Sequence, residues 1–169
     1  MRLTLVTLSL FLVLFASSCG NKSDKDYYKA GMENINDTSY SSAMENFQKL
    51  LKNYPESEMA AKASFEIGKL YHGKVIKNLS EKESLNKAIE YYKKTFNEYP
   101  ESPPAPNALF MVAFIQANEL NETESAKENY NEFLKNYPSN ELAFSAQAEL
   151  ENLGVSPEEI LKRRTAAEK

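Results

Sequence analysis

The stretch Phe47–Ser57, FQKLLKNYPES, returns as Tyr92–Ser102, YKKTFNEYPES, and again as Tyr130–Asn140, YNEFLKNYPSN, at spacings of 45 and 38 residues. Each copy reads as the second half of an amphipathic helix running into a Tyr-Pro stop. In the first, Ala43, Phe47, Leu50, Leu51 and Tyr54 fall at i, i+4, i+7, i+8 and i+11, one apolar stripe of a 3.6-residue period. The matching sets are Ala88, Tyr92, Thr95, Phe96 and Tyr99, then Ala126, Tyr130, Phe133, Leu134 and Tyr137. Pro55, Pro100 and Pro138 end the helices, because proline lacks a backbone donor and drives the preceding residue out of helical geometry. Self-similarity at such a period predicts an all-α solenoid of about three and a half stacked helix-turn-helix repeats.

Working outward, each proline leads into a further apolar pattern, Ala60, Ala63, Phe65, Ile67, Gly68 and Tyr71, then Ala105, Ala108, Phe110, Val112, Ala113 and Ile115. These predict the first helix of the following unit over roughly Glu58–His72 and Pro106–Asn118. Pro103, Pro104 and Pro106 must then lie at or before a first turn, since an interior proline costs about 3 kcal/mol. Asp26–Ile35 supplies the first helix of the first unit and Glu141–Leu153 a final unpaired one. Ser156–Lys169 opens on Ser-Pro-Glu-Glu, a helix start with serine as cap, and reads as a short capping helix. The expected division is therefore 1–18 as a signal segment, 19–25 as a polar tether, 26–153 as the repeat domain and 154–169 as cap and tail.

The signal segment has Arg2, an apolar run Leu3–Phe15, and then Ala16-Ser17-Ser18-Cys19. That is the charged, apolar and small-residue layout of a secretory signal. The run is shorter than the roughly 20 residues a spanning helix needs. Cys19, the only cysteine, can form no internal disulfide. Its setting resembles the bacterial lipoprotein signal, in which the cysteine is lipidated and becomes the mature N-terminus, although Ala16 stands where that signal usually has leucine. Two or more acyl chains anchor stably where one is marginal. Gly20 follows where many inner-membrane lipoproteins carry aspartate, which favours the outer membrane.

Catalysis has few candidates in this chain. The one histidine, His72, sits at a helix end beside an eight-residue expansion of the second unit around His72–Ser84. There is no phosphate-binding glycine loop, His/Cys metal spacing or Gly-x-Ser-x-Gly elbow. Glu56, Glu58, Glu101, Glu158 and Glu159 fall near helix starts, where the helix dipole accounts for them. The reading is a protein that is not an enzyme, with no catalytic residue, metal or cofactor. A net charge of −4 gives no reason to expect nucleic acid.

The repeats resemble the tetratricopeptide repeat (TPR), whose pattern is W-x2-L-G-x2-Y…A-x3-F…P in 34 residues. Gly31, Ala43, Phe47 and Pro55 keep its offsets, and the Ala-to-Pro interval of 12 recurs at Ala88/Pro100 and Ala126/Pro138. Gly68 and Ala113 stand at the glycine position, and Tyr27 replaces the tryptophan. The junctions Tyr54–Gly68 and Tyr99–Ala113 run three residues longer than the plain repeat. That variant resembles BamD, the TPR lipoprotein family of outer-membrane β-barrel assembly, over about Asp26–Leu153; the C-terminal domain of the periplasmic cell-division coordinator CpoB is similar. BamD proteins usually have five units.

The BamD resemblance implies a lipid-anchored scaffold on the periplasmic face of the outer membrane, with envelope proteins such as β-barrel assembly components as partners. The CpoB resemblance implies a coordinator of cell-wall synthesis. In stacked repeats the first helices line the concave face. With the glycine position as ruler, that face is expected to carry Lys25, Tyr28, Met32 and Ile35, then Lys62, Phe65, Lys69 and His72, then Asn107, Phe110 and Phe114. An aromatic stripe, Tyr28–Phe65–Phe110, flanked by lysines suits an extended or helical peptide with apolar anchors and a carboxylate.

Overall fold

A computed structural model describes residues 22–167. In it the chain forms α1 (Asp24–Asn36), α2 (Tyr40–Asn53), α3 (Glu58–His72), α4 (Glu81–Glu98), α5 (Ala105–Asn118), α6 (Thr123–Asn136), α7 (Ala143–Asn152) and α8 (Pro157–Ala167). Consecutive helices pair as α1/α2, α3/α4 and α5/α6, and each second helix also packs on the next first helix. The described residues therefore form an all-α repeat stack of three helical hairpins with α7 as the extra half-unit.

Within each hairpin an alanine and an aromatic of the second helix meet the first. Ala43 with Phe47, Ala88 with Tyr92, and Ala126 with Tyr130 are all essentially fully buried. The glycine position explains how close the helices come. A Cβ built on Gly31 would lie 2.3 Å from the Phe47 ring, and one on Gly68 would lie 2.7 Å from the Tyr92 ring. The ring thus rests on bare backbone, and burying it contributes about 1.5–3 kcal/mol. Between units the apolar contacts are continuous. One core runs from Ala43 and Phe47 through Ile67 and Tyr92 to Val112 and Ile115. A second gathers Leu109, Ala113, Tyr130, Phe133 and Ala146. Helix α5 borders both, which explains its nearly all-apolar sequence, with buried residues over a face nearly half its circumference wide.

The three Tyr-Pro stops adopt one conformation. Tyr54, Tyr99 and Tyr137 have φ of −138°, −133° and −131° with ψ of 53°, 55° and 52°. Each tyrosine carbonyl then accepts the N–H three residues on, from Ser57, Ser102 and Asn140, at 3.0–3.1 Å. A second turn follows at once, with Ala60, Ala105 and Ala143 donating to those same residues' carbonyls at 2.9–3.0 Å. The three extra residues of each junction are these paired turns. Tyr99 Oη also donates to the Pro55 carbonyl at 2.8 Å and Tyr137 Oη to the Pro100 carbonyl at 3.4 Å. Tyr54 Oη does the same to the Lys22 carbonyl at 2.8 Å. Each hydroxyl ties the end of a second helix to the backbone that enters its partner, closing the open end of the hairpin.

Helix starts differ from expectation where side chains decide them. Helix α1 begins two residues before Asp26 because Ser23 and Asp26 form a reciprocal capping box. Helix α7 starts at Ala143 rather than Glu141, since Asn140 holds the N–H groups of Leu142 and Ala143 with its side chain and carbonyl. The expansion in the second unit becomes the α3–α4 loop and a longer α4. Lys74 and Asn78 turn the loop with φ of 55° and 65°, Val75, Ile76 and Leu79 pack on the core, and a Ser80/Glu83 capping box restarts the helix.

Gly31→Ala is expected to destabilise the chain by about 1–3 kcal/mol despite its better helix propensity, because the fully buried Phe47 ring must move; chemical denaturation followed by circular dichroism checks it, and Phe47→Leu in the same chain should recover part of the loss. Tyr130 is wholly buried and its hydroxyl finds no hydrogen-bond partner among the described residues. Tyr130→Phe is therefore expected to leave stability unchanged or raise it by up to about 1 kcal/mol, whereas a measured loss of that size would reveal a bond to the hydroxyl.

Candidate functional site

The residues expected to line the concave face all lie on first helices, and their packing sorts them. Tyr28, Phe65 and Phe110 occur once per unit, three residues before Gly31, Gly68 and Ala113. Each is half-buried against an aromatic of its own hairpin: Tyr28 on Phe47 at 5.8 Å, Phe65 on Tyr92 at 5.3 Å, and Phe110 edge-on to Tyr130 at 5.8 Å and Phe133 at 5.9 Å. One side of each ring thus belongs to the core while another edge meets solvent. Met32 and Ile35 are half-buried against the same core. Phe114 is likewise half-buried but belongs to neither core, its ring stacked on Phe110 at 6.4 Å. Asn107 is half-buried one turn before Phe110.

The lysines are less available than their spacing suggests. Lys62 pairs with Glu58 at 2.7 Å, one turn back on α3. Lys69 pairs with Glu66 at 2.9 Å. Glu66 is almost completely buried for a carboxylate, and it lies close enough to raise the Tyr28 and Tyr92 phenols, which burial raises first. Only Lys25, exposed on α1, has no ion pair among the described residues, although its charge reaches Glu58.

His72 is neither solvated nor loose. Its Nε2 meets Glu119 at 2.5 Å, and its ring stands edge-on to Tyr92 at 6.5 Å. The other Glu119 oxygen takes Lys74 at 3.4 Å, and Lys74 also pairs with Glu81. Glu119 follows α5, so this cluster joins the second and third hairpins at their turn ends. Sequence reasoning missed it: His72 and Glu119 stand 47 residues apart, and no local pattern links them. Glu66 was also missed, although its i,i+3 spacing to Lys69 was visible.

The face that results is an apolar ledge, with Tyr28, Phe65, Phe110 and Phe114 as steps, bordered by charges that neutralise one another. Such a surface can hold a peptide by inserting side chains between steps, with little net field to steer it. Among the described residues no three His, Cys, Asp or Glu are placed to hold a metal ion, and no helix is long and apolar enough to cross a membrane. Cys19, the expected lipidation site, lies outside the described residues.

Comparison with known families places this geometry. Residues 20–153 match the family model YfiO, described as outer membrane lipoprotein, which covers the three hairpins and α7. No curated protein matches the chain. The chain belongs to the YfiO family of outer membrane lipoproteins, the BamD type.

Proposed function

We propose that the protein is a non-catalytic scaffold, anchored by lipid on Cys19 to the periplasmic face of the outer membrane, that holds peptide segments of envelope proteins during β-barrel assembly. The observation that carries this reading is the half-exposed aromatic ledge on the first helices of a chain whose family is outer membrane lipoproteins. The ledge offers apolar anchoring at one-unit intervals, which suits an extended or helical segment longer than a single repeat. Because Lys62 and Lys69 already have glutamate partners, apolar insertion leads recognition.

Phe114 separates recognition from folding, since it stacks on Phe110 and leaves Tyr130 and Phe133 covered. In Phe114→Ala, crosslinking in intact cells is expected to recover β-barrel assembly components about tenfold less well, with helicity unchanged. Unchanged crosslinking would remove the ledge from the function. Recovery of peptidoglycan synthases by the unaltered chain would move the protein to the coordination of cell-wall synthesis.

A further inference from the structure

The first hairpin's open end differs from the others in what it presents. Lys22, Tyr27, Lys52, Asn53 and Tyr54 line an open hollow of about 500 Å³. The Tyr27 and Tyr54 rings pack at 6.4 Å, and Lys22 Nζ lies 5.7 Å from the Tyr27 ring centre. Neither Lys22 nor Lys52 has an ion pair among the described residues, and Lys25, exposed in the first turn of α1, follows Lys22 by three residues, its charge also reaching Glu58. Two acids share this end, and the Lys22 charge reaches one of them, Asp26. Asp26 caps Ser23 through its backbone N–H and hydroxyl, and Asp24 accepts the Lys25 N–H. The corresponding end of the second hairpin instead carries Glu56, Glu58 and Glu98, and that of the third carries Glu101 with Lys135 at the position of Lys52. Lys52 also borders the neighbouring hollow between α2 and α4, where Lys93 and Lys94 stand with Glu90 and Glu98 and Lys94 pairs with Glu98 at 3.1 Å.

The position of this end relative to the anchor is constrained by covalent geometry. Lys22 follows Cys19 by three residues, so its Cα stays within about 11 Å of the cysteine's however the tether is arranged. Tyr54 Oη, bonded to the Lys22 carbonyl at 2.8 Å, fixes that exit point to the end of α2. If acyl chains on Cys19 enter the bilayer, Lys22, Lys52 and the two tyrosine rings are delivered to headgroup depth. Tyrosine and lysine suit that depth, with apolar bodies and polar tips.

We propose that the open end of the first hairpin, built by Lys22, Lys25, Lys52, Tyr27 and Tyr54, is a membrane-contact surface that takes the phosphate headgroups of anionic phospholipids. The surface rests on the lipid anchor proposed at Cys19. It also orients the solenoid: the first hairpin's open end meets the leaflet through Lys22 and Lys52, beside the tether. The ledge then projects away from the membrane into the aqueous space.

The test uses the lipidated full chain on vesicles of phosphatidylcholine alone or mixed with phosphatidylglycerol, with amine-reactive footprinting read by mass spectrometry. Labelling of Lys22, Lys25 and Lys52 is expected to fall about fivefold on the anionic vesicles relative to the neutral ones, and to recover at high salt. Lys127, exposed at the start of α6, should label equally on both. In the double variant Lys22→Glu, Lys52→Glu the protein should still float with the vesicles while Lys25 loses its protection. Equal labelling of Lys22 and Lys52 on both vesicle types, with the protein floating, overturns the surface and leaves the anchor standing; so does persistent protection of Lys25 in the double variant. Failure of the unaltered chain to float overturns the anchor, and the surface with it.

Discussion

The contact on which the rest depends is a ring laid on bare backbone. Phe47 over Gly31 and Tyr92 over Gly68 bring the two helices of a hairpin closer than any side chain on the first helix would permit. Glycine inside a helix costs about 1 kcal/mol in propensity, and the burial of a whole aromatic ring offsets it. Because the ring is fully buried, its position sets where the second helix sits, and that helix in turn forms the floor for the next unit. The third hairpin keeps the ring, as Tyr130, and replaces the glycine by Ala113. Its Tyr130 hydroxyl is the one buried side-chain polar atom left without a partner among the described residues. The same site supplies the chemistry of the opposite face. Tyr28, Phe65 and Phe110 are half-exposed because the rings beneath them occupy the space they would otherwise fill.

Much of this was legible from periodicity. Ala43, Phe47 and Leu50 are buried as their spacing requires, and the proline stops fall at the ends of α2, α4 and α6. What the spacing could not carry was pairing at a distance. The Tyr54, Tyr99 and Tyr137 hydroxyls were read only as part of a helix stop, yet they reach carbonyls 32, 44 and 37 residues away. A hydroxyl's partner depends on how the hairpin closes, which depends on the sum of all the turns between. The His72–Glu119 pair is hidden for the same reason. Among the site residues, the sequence placed Tyr28, Phe65, Phe110 and Phe114 on first helices, where the structure has them. The charge of the face was misjudged because the ladder was begun at Lys62 and carried through Phe65 to Lys69, leaving out Glu58 and Glu66, which stand one turn before the two lysines.

The ledge and the basic end serve different requirements, and the fold keeps them apart. Apolar steps for a peptide must recur from unit to unit, so they sit on residues that every first helix repeats. A membrane contact is needed once, beside the tether, and so depends on Lys22, tied there by Tyr54; Lys52 recurs as Lys135, but only Lys52 stands beside the tether. Charge, which falls off over about 10 Å at ordinary salt, suits a single local contact.

The hydroxyl ties at the open ends also determine where this molecule can grow. At the turn ends the links between helices are unequal: residues 37–39 in the first hairpin, 73–80 in the second and 119–122 in the third. The hairpins nevertheless keep the same alanine and aromatic contacts, because nothing on that side measures the length of chain. At the open ends a tyrosine must reach a fixed carbonyl, and the residues that open and close the paired turns are committed to hydrogen bonds. One flank of the solenoid can therefore accept new sequence, and with it new surface, while the other acts as a ruler that holds the pitch of the stack.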